Sequence, residues 1–298
     1  VELTEELMEK PVITQSMISA YDEYTHLTLD RRAFMDKLTK LAGSASAAAA
    51  LAPLLSANKA SAAMVAADDS RLAAQDVAFA GAKGQTKGYL VRPEDASGPL
   101  PAVIVIHENR GLNPHIKDIA RRLALEGFVA LAVDFLSPLG GTPDDEDKAR
   151  DLISKLEQDS VVADAKASLA YLATLDGTNG KVGVVGFCWG GSVVNRFATK
   201  SPELKAAVAY YGVQPPLGDV PAIKAALLLH YAGLDDRVNA GIDGYRDALE
   251  ENDKTFEIYV YDGVNHAFNN DTSSARYDKK AADLAWGRTV GFLKKFLS

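Results

Sequence analysis

The sequence holds one cysteine, Cys188, among 298 residues. A lone thiol excludes an internal disulfide framework and any zinc site built from several cysteines. It says little about compartment, because an exported protein need not carry disulfides. Basic residues are in deficit, with 32 Lys and Arg against 40 Asp and Glu and a formal net charge of −8. That balance argues against nucleic acid as a main partner, since phosphate binding calls for a basic surface. No uninterrupted apolar run reaches the ~18–20 residues of a membrane span. No internal repeat is visible, and the one low-complexity run is alanine-rich, near residue 45. What remains is 47% hydrophobic and 24% charged, ordinary for a globular protein and long enough for one large domain or two small ones.

Residues 1–71 read as an N-terminal extension and 72–298 as the main domain. The extension starts acidic, with Glu2, Glu5, Glu6, Glu9, Asp22, Glu23 and Asp30 against Lys10 alone. The sign then reverses at Arg31, Arg32, Lys37 and Lys40, ahead of the alanine-rich run and of Ala60-Ser61-Ala62. Two readings stand side by side. Asp30 to Met35 resembles a twin-arginine export signal with a small-residue cleavage site after it, which would make the protein periplasmic. The long acidic lead and Asp36 count against this, and without a signal the protein is expected in the cytoplasm. The other reading is a helical arm with Asp30 as N-cap and Phe34, Leu38 and Leu41 on one face. Such an arm suits packing on a second subunit in a homo-oligomer.

From residue 72 the pattern is regular. Gln75–Ala80 and Thr86–Arg92 read as a hairpin. Apolar strands are expected at Pro101–His107, Phe128–Asp134, Lys181–Phe187, Leu204–Tyr211, Ala225–Tyr231 and Thr255–Tyr261. Helices are expected at Ile116–Glu126, from Thr142–Asp145 to about Leu156, and at Val161–Leu175, Gly241–Asn252 and Ala275–Leu297. Apolar strands alternating with helices predict an α/β fold with a mostly parallel sheet covered on both faces.

The chain is organised around Gly186-Phe187-Cys188-Trp189-Gly190-Gly191, where a strand turns sharply into a helix. This is the setting of a nucleophile elbow, with cysteine in place of serine. A thiolate nucleophile needs a base, and the base needs an orienting acid. His266 follows the last strand, and Asp235 follows the strand ending at Tyr231. Both fall at strand carboxyl ends, where open α/β sheets place their sites. The order nucleophile, acid, histidine is that of the α/β-hydrolase fold. Asp236 competes with Asp235, which is favoured as nearer the strand end. His230 reads as a packed core histidine, and His26 and His115 as loop or helix-edge residues. His107-Glu108 does not continue into a zinc-protease helix motif. Glu108, just after the strand before it, is either a surface carboxylate paired with Arg110 or a group acting on the thiol or its base. The backbone N–H groups of Asn109 and Trp189 are the expected oxyanion donors.

Four motifs in order, Gly186–Gly191, His107–Gly111, Gly233–Val238 and Asn265–Phe268, resemble the dienelactone hydrolases (carboxymethylenebutenolidases), and Ala209–Gly212 fits as well. The resemblance covers about residues 75–298. It implies an α/β-hydrolase fold and a triad of Cys188, Asp235 and His266. It implies that Glu108 holds the resting thiol and helps form the thiolate when substrate displaces it. It implies hydrolysis of a small-molecule ester or lactone through an acyl-cysteine, with no metal or organic cofactor. One departure stands out. Asn270 occupies the position, four residues after the histidine, where these enzymes carry a substrate-binding arginine, and Arg110 and Arg276 are the candidates to replace it. The dienelactone itself is therefore doubtful as substrate. The competing readings are a non-catalytic hydrolase-fold module for binding or assembly, and a redox-sensing thiol.

Overall fold

The computed structural model describes residues 12–26, 28–56 and 63–298. Residues 2–9 of the acidic lead and the Ala60-Ser61-Ala62 site lie outside the described residues. Two compact units are present, one of residues 1–60 with Thr272–Arg276, the other of Ser61–Asp271 with Tyr277–Ser298.

The first unit is helical: α1 (Gln15–Thr25), α2 (Arg31–Ala42) and α3 (Ala45–Leu55). Each begins at a side-chain N-cap, respectively Thr14, Asp30 and Ser44, which satisfies a backbone N–H that the helix leaves open. Tyr21 and Met17 of α1, Phe34 and Leu38 of α2, and Leu51 and Leu55 of α3 form a small core. Tyr24 stacks on Phe34 at 4.8 Å, and Arg276 lies over the Tyr21 ring at 5.1 Å. The sequence pattern finds α2 and its Asp30 cap but misses α1, and it misplaces Leu41. In the last turn before a 112° bend into α3, Leu41 is 39% exposed rather than on the buried face. No single helix among the described residues is long and apolar enough to cross a bilayer.

The second unit is a doubly covered α/β sheet. Its elements run β1 (Leu72–Gly81), β2 (Gly84–Pro93), β3 (Leu100–Ile106), α4 (Pro114–Leu125), β4 (Val129–Asp134), α5 (Glu146–Ile153), α6 (Gln158–Ala173), β5 (Thr178–Phe187), α7 (Trp189–Lys200), β6 (Ala206–Tyr210), β7 (Ala226–Ala232), α8 (Asp236–Asn239), α9 (Ile242–Glu251), β8 (Phe256–Tyr261) and α10 (Lys279–Leu297). The strand order is β1-β2-β4-β3-β5-β6-β7-β8. The hairpin β1–β2 joins β4 antiparallel, and every pairing from β4 through β8 is parallel.

Strand periodicity explains the two layers. Side chains alternate across a sheet, so Ile104, Ile106, Leu131 and Val184 face α6, α7 and α9. Val103, Val105, Ala132 and Val185 face α4 and α10. Central strands buried on both sides therefore read as unbroken apolar runs. The last helix begins at Lys279, not Ala275, because Asp278 caps it by accepting from the Ala281 N–H at 2.8 Å. Parallel strands bring the carboxyl ends of β3, β5, β7 and β8 to one edge.

Candidate active site

β5 ends at Phe187 and α7 begins at Trp189, which leaves Cys188 alone in the turn. Its φ of 56° and ψ of −115° lie where L residues are rarely found. The turn closes because glycine flanks it. A Cβ on Gly186 would lie 2.4 Å from the Gly190 carbonyl oxygen, and one on Gly190 would lie 2.5 Å from the carbonyl oxygens of both Ile106 and His107. The glycines are thus a packing requirement of the elbow. Cys188 is buried, and its N–H donates to the Tyr210 carbonyl at 3.0 Å, which ties the elbow to β6. The open N–H groups of the twelve-residue helix α7 favour negative charge at this thiol.

His266 follows β8 and Asp235 follows β7. The N–H of Gly233 donates to the Tyr261 carbonyl at 2.8 Å and that of Leu234 to the Val264 carbonyl at 3.0 Å, so the two loops travel together. Their side chains meet, with His266 Nδ1 2.5 Å from Asp235 Oδ2 and both residues buried. The other oxygen of Asp235 accepts from the Val238 N–H at 3.2 Å and caps α8. Asp236 is exposed. Cys188 Sγ and a ring nitrogen of His266 lie within 4.8 Å of each other. As metal donors, this unit brings together that thiol and that imidazole, while Asp235 is engaged by the imidazole. The Tyr211 ring packs against His266 with centroids 4.8 Å apart. Tyr211 and Ala267 also have positive φ, 39° and 64°.

Glu108 is not a surface carboxylate. It is 5% exposed, and Asn270 Nδ2 donates to its Oε2 at 2.7 Å. Arg110, the partner expected for it, is also buried and forms an ion pair with Glu146, Nε to Oε2 at 3.3 Å. The residue after Asn270 anchors its loop. Asp271 lies 2.8 Å from Arg122 Nη2 and 2.9 Å from His115 Nδ1, both on α4. Burial by itself would raise the Asp271 carboxyl, but contact with His115 and the charge of Arg122 hold it below its usual range. His115 sits at the edge of α4, in its first turn, and is a buried anchor there. The loop after β3 is held from below, because buried Asp134 accepts from the Thr142 hydroxyl at 2.8 Å and that hydroxyl accepts from the Leu112 N–H at 2.8 Å.

Asn109 and Trp189 each follow one of these side chains directly and are half-buried. Arg276 belongs to the first unit, where its guanidinium lies 3.7 Å from Asp22. His230 is a core residue, as expected. Its Nε2 is 3.1 Å from Thr289 Oγ1, its Nδ1 is 2.9 Å from the Tyr261 hydroxyl, and burial pushes it down to about 3.

Sequence reasoning did not single out Tyr211 or the His107 side chain. His107 is fully buried, its Nδ1 2.6 Å from the Glu108 carbonyl oxygen and its ring stacked on Trp189. Its position next to Glu108 is the one signal that could have drawn attention to it.

The model of the dienelactone hydrolase family matches residues 86–297. The chain is similar to a carboxymethylenebutenolidase homologue of Escherichia coli O157:H7, 33% identical over 222 residues, 70% of this chain and 82% of that protein. Protein usf of Aquifex pyrophilus is 37% identical over 223 residues, 72% of this chain and 95% of the relative. A crystallised dienelactone hydrolase homologue from Klebsiella pneumoniae superposes with a TM-score of 0.69 at 30% identity, covering 76% of this chain and 99% of that one. With the elbow at Cys188, the mostly parallel sheet and a family match over most of the second unit, the chain belongs to the dienelactone hydrolase family.

Proposed function

We propose that this dienelactone hydrolase-like protein cleaves esters or lactones through an acyl-cysteine on Cys188, with His266 as base and Asp235 as its orienting acid. The observation that carries the reading is the 2.5 Å contact between His266 and Asp235, with the Cys188 thiol within 4.8 Å of the same imidazole. The Cys188 thiolate attacks the ester carbonyl carbon, a C–S bond forms, and the carbonyl π-electrons move to oxygen. The N–H groups of Asn109 and Trp189 receive that oxyanion. Collapse breaks the C–O bond, and His266 gives the departing oxygen the proton it took from the thiol. Water then attacks the thioester while His266 accepts its proton. The C–S bond breaks, the acid leaves, and the thiol takes back its proton.

Glu108 holds the thiol at rest and helps form the thiolate when substrate arrives, and Asn270 holds Glu108. An amide at position 270 lacks the two-point charged contact of a guanidinium. Substrates without a carboxylate at that point therefore fit better than the dienelactone itself.

The test is acyl trapping. Wild-type protein and Cys188→Ala are mixed with a panel of lactones and small aryl esters, quenched, and analysed by mass spectrometry. One acyl group on Cys188 is expected in the wild type, with neither adduct nor turnover in the variant. Normal turnover by Cys188→Ala would overturn the reading.

A further inference from the structure

We infer that His107 is a positioning residue that sets the two backbone donors of the oxyanion site; this rests on the acyl-cysteine reading above. The ring touches the peptide group of one donor and the side chain of the residue that carries the other. Its Nδ1 lies 2.6 Å from the Glu108 carbonyl oxygen, which belongs to the same peptide group as the Asn109 N–H. A trans peptide points its N–H opposite to its C=O, so a bond that holds the carbonyl also aims the N–H. On its other side the ring stacks on Trp189, with centroids 5.1 Å apart and planes 13° apart. Phe135 meets both rings edge-on, at 5.7 Å from His107 and 5.9 Å from Trp189.

The surroundings dictate the tautomer. A carbonyl only accepts, so Nδ1 carries the proton. Nε2 faces the Phe135 N–H at 3.4 Å, which only donates, so it presents its lone pair. The neutral ring satisfies both contacts at once, whereas an imidazolium would set Nε2–H against N–H. Full burial favours the same state by lowering the histidine pKa. The backbone of His107 also packs against the elbow, since its carbonyl oxygen lies where a Cβ on Gly190 would have to go. One residue thus links the loop after β3 to the first residue of α7, and a shift of its ring changes the spacing between the Asn109 and Trp189 N–H groups.

Two variants separate the contacts. His107→Asn keeps a short N–H donor for the Glu108 carbonyl and loses the ring face. His107→Phe keeps a ring against Trp189 and loses the donor. Each is compared with wild type in ester kcat and KM, in acyl-adduct formation, and in the rate at which iodoacetamide alkylates Cys188. Alkylation attacks a saturated carbon and develops no carbonyl oxyanion, so it reads the thiol and its base without the oxyanion site. His107→Phe is expected to lose about 10²–10³-fold in kcat, the range for one lost oxyanion donor. His107→Asn is expected to lose less, and both should alkylate at close to the wild-type rate with KM little changed. Hydrolysis at wild-type rates in both variants overturns the inference, as does a parallel fall of hydrolysis and alkylation. Failure of both variants to fold makes His107 a structural residue and overturns it equally. Absence of an acyl adduct in wild type refutes instead the acyl-cysteine reading, whatever the variants do.

Discussion

The Asn270 amide donates a 2.7 Å hydrogen bond to the Glu108 carboxylate, joining residues 162 apart in the chain. Asn270 is fully buried and Glu108 nearly so. Removing the donor with Asn270→Ala leaves a buried carboxylate oxygen without this partner, at a cost of about 1–3 kcal/mol. Asn270→Asp sets two carboxyls against each other, and one must hold a proton in the folded state. That group then binds a proton more readily folded than unfolded. The penalty is therefore largest at neutral and alkaline pH and shrinks as the pH falls. Denaturant unfolding at pH 5 and pH 8 checks both variants, and a penalty for Asn270→Asp that grows towards acid would contradict this account of the contact.

Asp235 has two tasks on two oxygens: Oδ2 contacts His266, and Oδ1 caps α8. Asn in its place can keep an oxygen for the Val238 N–H but turns an NH2 towards His266 Nδ1. The imidazole must then carry its proton on the other nitrogen, where it cannot act as a base. Asp235→Asn is expected to lower kcat by roughly 10³–10⁴-fold, on the precedent of the same change in a serine triad. Melting should shift by no more than a few degrees. Calorimetry beside ester assays separates the two tasks, and a variant that melts far lower while retaining its rate would reverse them.

His230 makes the fold sensitive to acid. Burial, reinforced by the charge of Arg288, lowers it from 6.5 to about 3. The folded state therefore keeps a neutral ring at pH values where the unfolded chain takes a proton. The contribution of this neutral ring to stability is complete above pH 6.5 and is lost progressively as the pH falls towards 3. Buried His107 acts in the same direction. His230→Gln is expected to be less stable at pH 7.5 yet to show a shallower acid slope. Denaturation curves at pH 7.5, 6 and 5 measure that slope, and parallel curves for variant and wild type would exclude His230 as its source.

Central strands such as β3 and β5 were legible because both of their faces are buried, which writes the strand into the sequence as an apolar run. The Cys188 elbow was legible because its glycines answer to local collisions. Asp235 and His266 were legible because they sit just beyond strand ends. The partner of Glu108 was not. An asparagine becomes a buried donor only through a contact the fold creates, and the place of Asn270 four residues after His266 points to substrate rather than to Glu108. α1 is hard to read because its buried set, Met17, Ile18, Ala20, Tyr21 and Thr25, is small and partly polar. The start of the last helix was misplaced because the chain from Thr272 to Arg276 belongs to the first unit and becomes helical only after Asp278.

Among the described residues, four other than glycine have positive φ: Cys188, Tyr211, Asp253 and Ala267. Three of them are the elbow, the residue packed on the histidine, and the histidine's own neighbour. Backbone held in sparsely populated regions costs of the order of 1–3 kcal/mol per residue, and a domain's whole net stability is about 5–15 kcal/mol. These turns persist because the eight-stranded sheet overrules them, not because they are at ease. Glycine at 267 would relieve the positive φ there at little loss of packing, whereas glycine at 211 would empty the space of a buried tyrosine packed on His266 and cost more than the strain it removes. Stabilising changes elsewhere in the sheet are then the natural first step before any redesign of these loops.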